Sequence, residues 1–344
     1  MNNLPLVSIV IPTFNSGDTI GLVLDSIKKQ TYKKLELFIV DAGSTDETLT
    51  IAEKYKAFIL KNEKQHQVYA KHLGYLKAKG KYIMHLDSDE VLENPDSVAM
   101  KVNLFRQKRV KAVVSSGHKT PSGVSGVNKI INDIGDPFSY YMYGFSFNYI
   151  FFINELKGKF MVVSEDYDSV TIDFGKSKNI PGIEMSASGI MLDRVYLKSE
   201  FSVVNKYPSL ISQVFYYMVE NGDLVGFTKN DPILHYSASN FGKYLKKLRS
   251  RVLNNVFQTE MGKSAFSGRG KYYSSFFVLK KYLFILYSFS FILPFCEGLR
   301  LSATRRAWVF LSYPYLCQFI SYITLYYMAR KALGFKPKIK GYGY

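Results

Sequence analysis

Lys81–Glu90 reads KYIMHLDSDE, an apolar run that ends abruptly in three carboxylates within four positions. A short run of this kind, preceded by Gly80, is a buried strand. The acidic residues form a polar turn at the strand's carboxyl end. Asp87 and Asp89 are two apart, so an extended backbone sends both side chains to one face. Two like charges held that way repel each other unless a positive group sits beside them. Oxygen donors of this type suit Mg²⁺ or Mn²⁺, which complete their shells on a diphosphate. Taken alone, the same three letters would also serve as a solvated acidic turn.

Working outward, the same pattern recurs. Val7–Ile11 (VSIVI) is a β-branched run stopped by Pro12, and the turn PTFNSGDT comes next. Leu35–Val40 is a second strand, leading into DAGSTDET. Helical spacing marks Thr19–Lys29 through Ile20, Val23, Leu24 and Ile27. Thr48–Tyr55, Val68–Lys79 and Ser97–Lys108 also read as helices, and Phe58–Leu60 and Ala112–Ser115 as strands. Strands alternating with helices predict an α/β domain with a mostly parallel sheet, which binds ligands at the carboxyl ends of its strands. Three polar turns at one sheet edge predict one site. Asp41 there is a carboxylate able to accept from a nucleobase, and Gly43 permits close backbone approach. Asp46 reads as a cap for the next helix.

The chain has 344 residues, 47% hydrophobic, with 27 Tyr and 26 Phe, which excludes a disordered chain. Two cysteines exclude a disulfide framework. The formal charge of +17 is unevenly placed: residues 1–239 are nearly neutral, whereas residues 240–344 carry 18 basic and two acidic side chains. That basic third also holds apolar runs, Tyr282–Cys296 and Ala307–Ala329. At about 1.5 Å per residue the second covers roughly 35 Å, enough for a hydrocarbon core of about 30 Å, and the first only about 22 Å. The first run therefore spans with an extension or is re-entrant, and the alternative for both runs is a pair of buried helices in a soluble domain. Phe241, Leu245, Leu248, Val252 and Val256 form a helical stripe with Lys243, Lys246, Lys247, Arg249 and Arg251 largely off it, the pattern of an interfacial helix or of an ordinary surface helix packing on the body. These features favour a membrane surface and argue against nucleic acid as the partner. The expected organisation is a domain over 1–239 (1–115 and 116–239 as its halves), a basic amphipathic region over 240–280, a transmembrane helical hairpin over 281–330 and a basic tail over 331–344. The N-terminus lacks a positive n-region and LVSIVIP is short for an h-region, so the catalytic domain is expected on the cytoplasmic side of the cell membrane.

VSIVIPTFN, VDAGSTDET and AKHLGYLKAKGKYIMHLDSDE, in this order over roughly residues 5–115, resemble the nucleotide-binding half of family 2 glycosyltransferases of the GT-A fold. The resemblance implies a nucleotide-diphosphate sugar donor. Pro12, Thr13 and Asn15 would line the nucleoside, with Gly43 and Ser88 in the same pocket, and Asp41 would contact the base. Asp87 would lie on the ribose side, and Asp89 would ligate Mn²⁺ or Mg²⁺. AKHLG is similar to a family turn in which an arginine faces the diphosphate. Lys71 stands at that place, and His72 departs from the usual asparagine. Further on, SASGIMLDRVYL, VFYYMVENGDLVGF and ILHYSAS keep the family order, and His235 stands where a histidine completes the metal site.

One departure bears on the acceptor. The family's usual carboxylate base is absent at Leu210–Ser212, leaving Glu165, Asp166, Asp168 and Glu184 as candidates. A phosphate monoester, with a second pKa near 6, needs no base at neutral pH. The resemblance then narrows towards dolichyl-phosphate sugar synthases: inverting hexosyl transfer, mannose favoured, to a polyprenyl or dolichyl phosphate. The rivals are a glycosyltransferase extending a glycolipid or lipid-linked oligosaccharide at a hydroxyl, and a membrane-attached binding module without activity. Residues 135–152, rich in Tyr and Phe, read as a mobile acceptor loop, a lipid-facing segment or ordinary core.

Overall fold

A computed structural model describes residues 4–175, 177, 180, 183, 185, 187–257 and 273–337. In chain order the N-terminal part forms β1 (Val7–Thr13), α1 (Gly17–Lys28), β2 (Leu35–Asp41), α2 (Thr48–Glu53), β3 (Phe58–Lys61), α3 (Gln67–Lys77), β4 (Tyr82–His85), β5 (Glu90–Leu92), α4 (Ser97–Gln107), β6 (Val110–Val114) and β7 (His118–Lys119). Then come α5 (Val127–Ile134), α6 (Pro137–Tyr143), α7 (Phe152–Lys157), β8 (Met161–Glu165), β9 (Ser169–Asp173), β10 (Ile190–Asp193), α8 (Arg194–Glu200), α9 (Val214–Glu220), β11 (Leu224–Thr228) and β12 (Ile233–His235). The C-terminal part adds α10 (Phe241–Phe257), α11 (Ser275–Phe289), α12 (Ile292–Arg305) and α13 (Tyr313–Ala332).

The chain divides into two units, the first running to Lys119 and resuming over Tyr149–Ser177 and up to Tyr236. It is built on a nine-stranded sheet in the order β3-β2-β1-β4-β10-β6-β11-β9-β8. β1 lies between two parallel neighbours, and all seven of its residues are buried, which is why its sequence is a continuous β-branched run. Alternation still divides its faces. Val7, Ile9 and Ile11 pack with Ile20, Val23, Leu24 and Ile27 of α1, each worth about 1.5–3 kcal/mol when buried. On the other face, a Cβ on Gly74 of α3 would come 2.3 Å from a Val10 methyl, so only glycine lets this helix sit so close.

The sheet is mixed, not mostly parallel. β10 enters antiparallel between β4 and β6, and the β8–β9 hairpin adds antiparallel pairs at the far edge. A separate three-stranded sheet, β5-β12-β7, joins Glu90 to His235 across one ladder and places Ile233 opposite His118 across the other.

The second unit comprises Thr120–Asn148 and the described residues from Ser237 onward. Residues 120–148, expected in the acceptor half, fall here because Val127, Ile130, Ile131, Ile134 and Tyr140 join the core made by α10, α12 and α13. This takes in much of the aromatic segment 135–152, whose Tyr140 and Met142 are buried. The α10 stripe, expected to lie in a membrane interface, packs into the same core: Tyr244, Leu248 and Val252 are buried, and the Tyr244 hydroxyl donates to the Gly135 carbonyl at 3.1 Å.

The expected two-span hairpin takes a different form. No single helix among the described residues is long and apolar enough to cross a membrane. The first apolar run is broken between α11 and α12, which are long and apolar enough only together and are bent by 90°. The second run gives α13, twenty residues long, which contributes Leu316, Cys317 and Ile320 to the unit's core.

Candidate active site

The parallel register sets the site. Thr13 and Asp41 are paired residues at the ends of β1 and β2, and the Thr13 hydroxyl donates to Asp41 at 2.9 Å. Asp41 is buried and also accepts from the Gly43 and Ser44 amides, both at 2.8 Å, and from the Ser44 hydroxyl at 2.5 Å. Four donors fill the lone-pair sites of a carboxylate. Asp41 therefore fixes the turn after β2, and a nucleobase would reach it only by displacing one of these donors. Gly43 has φ +97°, which explains a glycine there.

Asn15 clasps the two turns together. Its amide donates to the Ser44 hydroxyl at 2.8 Å, and its side-chain oxygen accepts from the Thr45 amide at 2.9 Å. Asp46 accepts from Thr48 as expected of a cap, and also from the Gly17 amide at the start of α1. Pro12 is buried within β1, so its ring belongs to the sheet and not to an open pocket wall.

The turn after β4 is held from several sides. Asp87 accepts from Gln67 at 2.8 Å and pairs with Lys71 at 3.0 Å. Lys71 has a side chain only 1% exposed, and AKHLG lies inside helix α3, not in a turn. The lysine expected to face a diphosphate thus neutralises Asp87 from below, the positive partner that the doubled carboxylates require. The Ser88 hydroxyl meets that of Ser16 at 2.8 Å, and its carbonyl accepts from Thr19 at 2.7 Å. His72 points away, its Nε2 at 2.7 Å from the Val204 carbonyl, a structural contact.

Asp89 and His235 come together. The His235 Nε2 is 3.7 Å from Asp89 Oδ2, both side chains are partly exposed, and the Tyr236 amide donates to the Asp89 carbonyl at 2.9 Å. Among the described residues, no group of three or more His, Cys, Asp or Glu is placed to hold a metal by itself. A carboxylate and an imidazole side by side fit a divalent cation that takes its remaining ligands from phosphate oxygens and water.

Three residues that the motif reading passed over complete the arrangement. Glu90 is buried and accepts from the Asp87 amide at 2.9 Å, the Ser188 amide at 2.7 Å and the Ser188 hydroxyl at 3.2 Å. Burial, with Asp87 and Asp89 adding negative charge, pushes its carboxyl well above the usual range. His118 Nε2 lies 2.9 Å from the Ser188 hydroxyl, and its ring centroid is 4.8 Å from that of His235. Burial pushes His118 down to about 4, so its imidazole is neutral. Ser188 takes φ +57°, rare for a residue with a side chain, and with Gly189 at φ +64° it turns the chain into β10 beneath Glu90. The visible signals were the third acid of LDSDE and the SASG turn; His118 sits on a two-residue strand that no periodicity reveals.

The candidate bases lie elsewhere. Glu165 is held by Lys157 and Lys229 at 2.7 and 2.8 Å, and Asp166 accepts from Ser169 and faces Lys108 at 3.5 Å. They and Asp168 belong to the β8–β9 hairpin, and β8 is the fifth strand from β4, about 24 Å at the usual strand spacing. Glu184 is outside the described residues.

Residues 8–160 match the family model of glycosyl transferase family 2. An uncharacterised glycosyltransferase of Rickettsia prowazekii is 37% identical over 112 residues, 32% of this chain and 35% of the relative. A PGL/p-HBAD biosynthesis glycosyltransferase of Mycobacterium tuberculosis is 38% identical over 101 residues, 28% of this chain and 40% of the relative. The chain spans less than half the length of each of these relatives. Among solved structures, S. aureus TarS 1–349 in complex with UDP aligns over 97% of this chain and 93% of its own, at 15% identity and a TM-score of 0.47.

Proposed function

From a glycosyl transferase family 2 domain at residues 8–160, we propose that this chain transfers a hexose, mannose favoured, from a nucleotide-diphosphate sugar to a membrane lipid phosphate of the polyprenyl or dolichyl type. The observation that carries the reading is the Asp87–Ser88–Asp89 turn. It is clamped by Gln67, Lys71, Ser16 and Glu90 and brought beside His235. Such clamping holds an acidic turn in one geometry before any ligand arrives, the arrangement that electrostatic catalysis rewards.

Asp89 and His235 would hold Mn²⁺ or Mg²⁺. When bound, the cation supplies Lewis-acid neutralisation of charge on the departing nucleoside diphosphate. The chain's own contributions are distinct. Asp41 and Asn15 fix the two turns that would enclose the nucleoside, with Thr13 and Gly43 shaping the floor. Lys71 pairs with Asp87 and holds it in place. The acceptor oxygen attacks the anomeric carbon as the bond to the diphosphate breaks, with inversion.

Two features support a phosphate acceptor. Glu165, Asp166 and Asp168 sit on an edge hairpin, two of them tied to lysines, and a phosphate dianion needs no base. The basic, apolar C-terminal third supports attachment to a cell membrane, with the catalytic domain on its cytoplasmic side. The test is an assay of labelled GDP-mannose, UDP-glucose and related donors with Mn²⁺ or Mg²⁺, offering polyprenyl phosphate and a glycolipid in parallel. Label in the polyprenyl phosphate product supports the reading. Label only in the glycolipid overturns the acceptor, and no transfer or donor hydrolysis with any donor overturns the activity.

A further inference from the structure

The α11–α12 pair presents apolar side chains outward at its bend. Phe277, Phe284 and Ser288 of α11, and Pro294, Gly298 and Leu301 of α12, are buried within the second unit. Gly298 is needed there, since a Cβ would come 2.9 Å from the Phe310 carbonyl. The opposite sides carry Leu286, Phe289, Phe291, Ile292, Leu293 and Phe295, every one exposed, with Leu286 at 70% and Ile292 at 69%. A water-facing helix surface normally carries charge. Here no formal charge occurs between Lys281 and Glu297. Contiguous exposed apolar surface of this kind marks an interaction site.

Charge returns at Lys281 on one leg and, on the other, at Glu297 and Arg300, which pair at 2.5 Å. Lys281 lies over the Tyr282 ring at 4.6 Å, and Arg306 stands just beyond α12. Trp308, 82% exposed, is two residues further on. Cationic and aromatic side chains on either side of an apolar stretch match the headgroup and hydrocarbon layers of a bilayer. The 90° bend sets the depth. From the bend back to Lys281, or on to Arg300, each leg is about 12–14 Å long at 1.5 Å per residue. Two legs of that length splayed at a right angle reach about 10 Å down, inside one leaflet of a core about 30 Å thick. The bend itself is built in, through Phe291 at φ +55°.

We propose that the α11–α12 bend is a wedge that seats in one leaflet of an anionic membrane, with Lys281 and Arg300 at the headgroup level and Phe289 to Phe295 in the acyl region. The occupant of this apolar face is thus lipid, selected by the complementary basic charge of residues 240–344. The inference deepens the membrane attachment proposed above and rests on it.

The chain carries its own reporter. Cys296 is exposed near the bend and Cys317 is buried, so a thiol-directed fluorophore labels the wedge alone. The labelled full-length protein is mixed with vesicles of phosphatidylcholine containing about one-third phosphatidylglycerol, some bearing nitroxides at carbon 5 or carbon 12 of the acyl chain. The expected result is a blue shift on binding, stronger quenching by the carbon-5 than by the carbon-12 nitroxide, and at least a tenfold loss of vesicle affinity in Leu293→Glu with unchanged circular dichroism. Failure to bind vesicles would overturn both the attachment and the wedge. Binding with an unshifted probe and an unaffected Leu293→Glu would overturn the wedge alone. Stronger carbon-12 quenching would replace it with a spanning segment, and a lipid-independent, concentration-dependent shift would make the bend a contact between copies.

Discussion

The two units solve burial in opposite ways. The first hides charge: Asp41, Lys71, Glu90, Lys101 and Asp231 are all buried, and each has a hydrogen-bonding or ionic partner. The second hides aromatic and aliphatic side chains and leaves others of the same kind facing outward around the α11–α12 bend. Buried charge is expensive unless paired, so each of these groups is held in place by its partner. Exposed apolar surface is also costly in water, so a unit that keeps it marks a surface for interaction. The difference is which kind of group lies on the wrong side of the surface.

The comparison has an exception that can break it. In the second unit Arg305 pairs with buried Asp133 at 3.0 Å, and the Asp133 carboxylate also accepts from Ser146. If this pair is a local necessity, Arg305→Met should strand a buried carboxylate and cost about 3–5 kcal/mol, read as a lower denaturation midpoint. A change below about 1 kcal/mol would show that this unit tolerates unpaired charge and would weaken the contrast.

A smaller effect tests close packing in the first unit. Gly74→Ala must push α3 off Val10, since the new Cβ would lie 2.3 Å from it, for about 1–3 kcal/mol. Urea unfolding measures it, and an unchanged midpoint would mean that α3 moves freely over the sheet.

A further effect is pH-dependent. His85, on β4, is buried with no hydrogen-bond partner for either ring nitrogen among the described residues, and burial, aided by the charge of Lys71, pushes it down to about 3. Its neutral form is favoured in the folded state, so below about pH 6.5 the unfolded chain binds the extra proton. The stability tied to this group is complete above about pH 6.5 and is lost as pH falls towards about 3, at up to about 1.4 kcal/mol per unit. His85→Leu should therefore lose less stability than the wild type between about pH 7 and pH 5. Parallel pH profiles would remove His85 from the account.

Much of the first unit was legible in the residues themselves. VSIVI and KYIMHL are runs that only a buried strand explains, and the three polar turns fell at one sheet edge because parallel strands end together. Less legible was whatever depends on distant pairing. β10 is as apolar as a parallel strand, and nothing local states that it runs the other way. Lys71 looked like a ligand for a diphosphate because its motif gives identity and not depth; the helix that carries it turns it under Asp87. His118 and Ser188 meet Glu90 through two ladders and a turn, a juxtaposition no spacing encodes. Residues 120–148 changed unit because an apolar helical stripe does not say which core it joins.

The central claim is that the turn ending in Asp89 is a metal-assisted site for a nucleotide diphosphate. Calorimetric titration of GDP and UDP with Mn²⁺, on wild type and Asp89→Ala, tests it most directly. The account predicts binding that requires the metal, weakened at least tenfold in Asp89→Ala, with the thermal midpoint of the variant unchanged because Asp89 is partly exposed. Equal affinity in the two proteins, or binding indifferent to Mn²⁺, would contradict it.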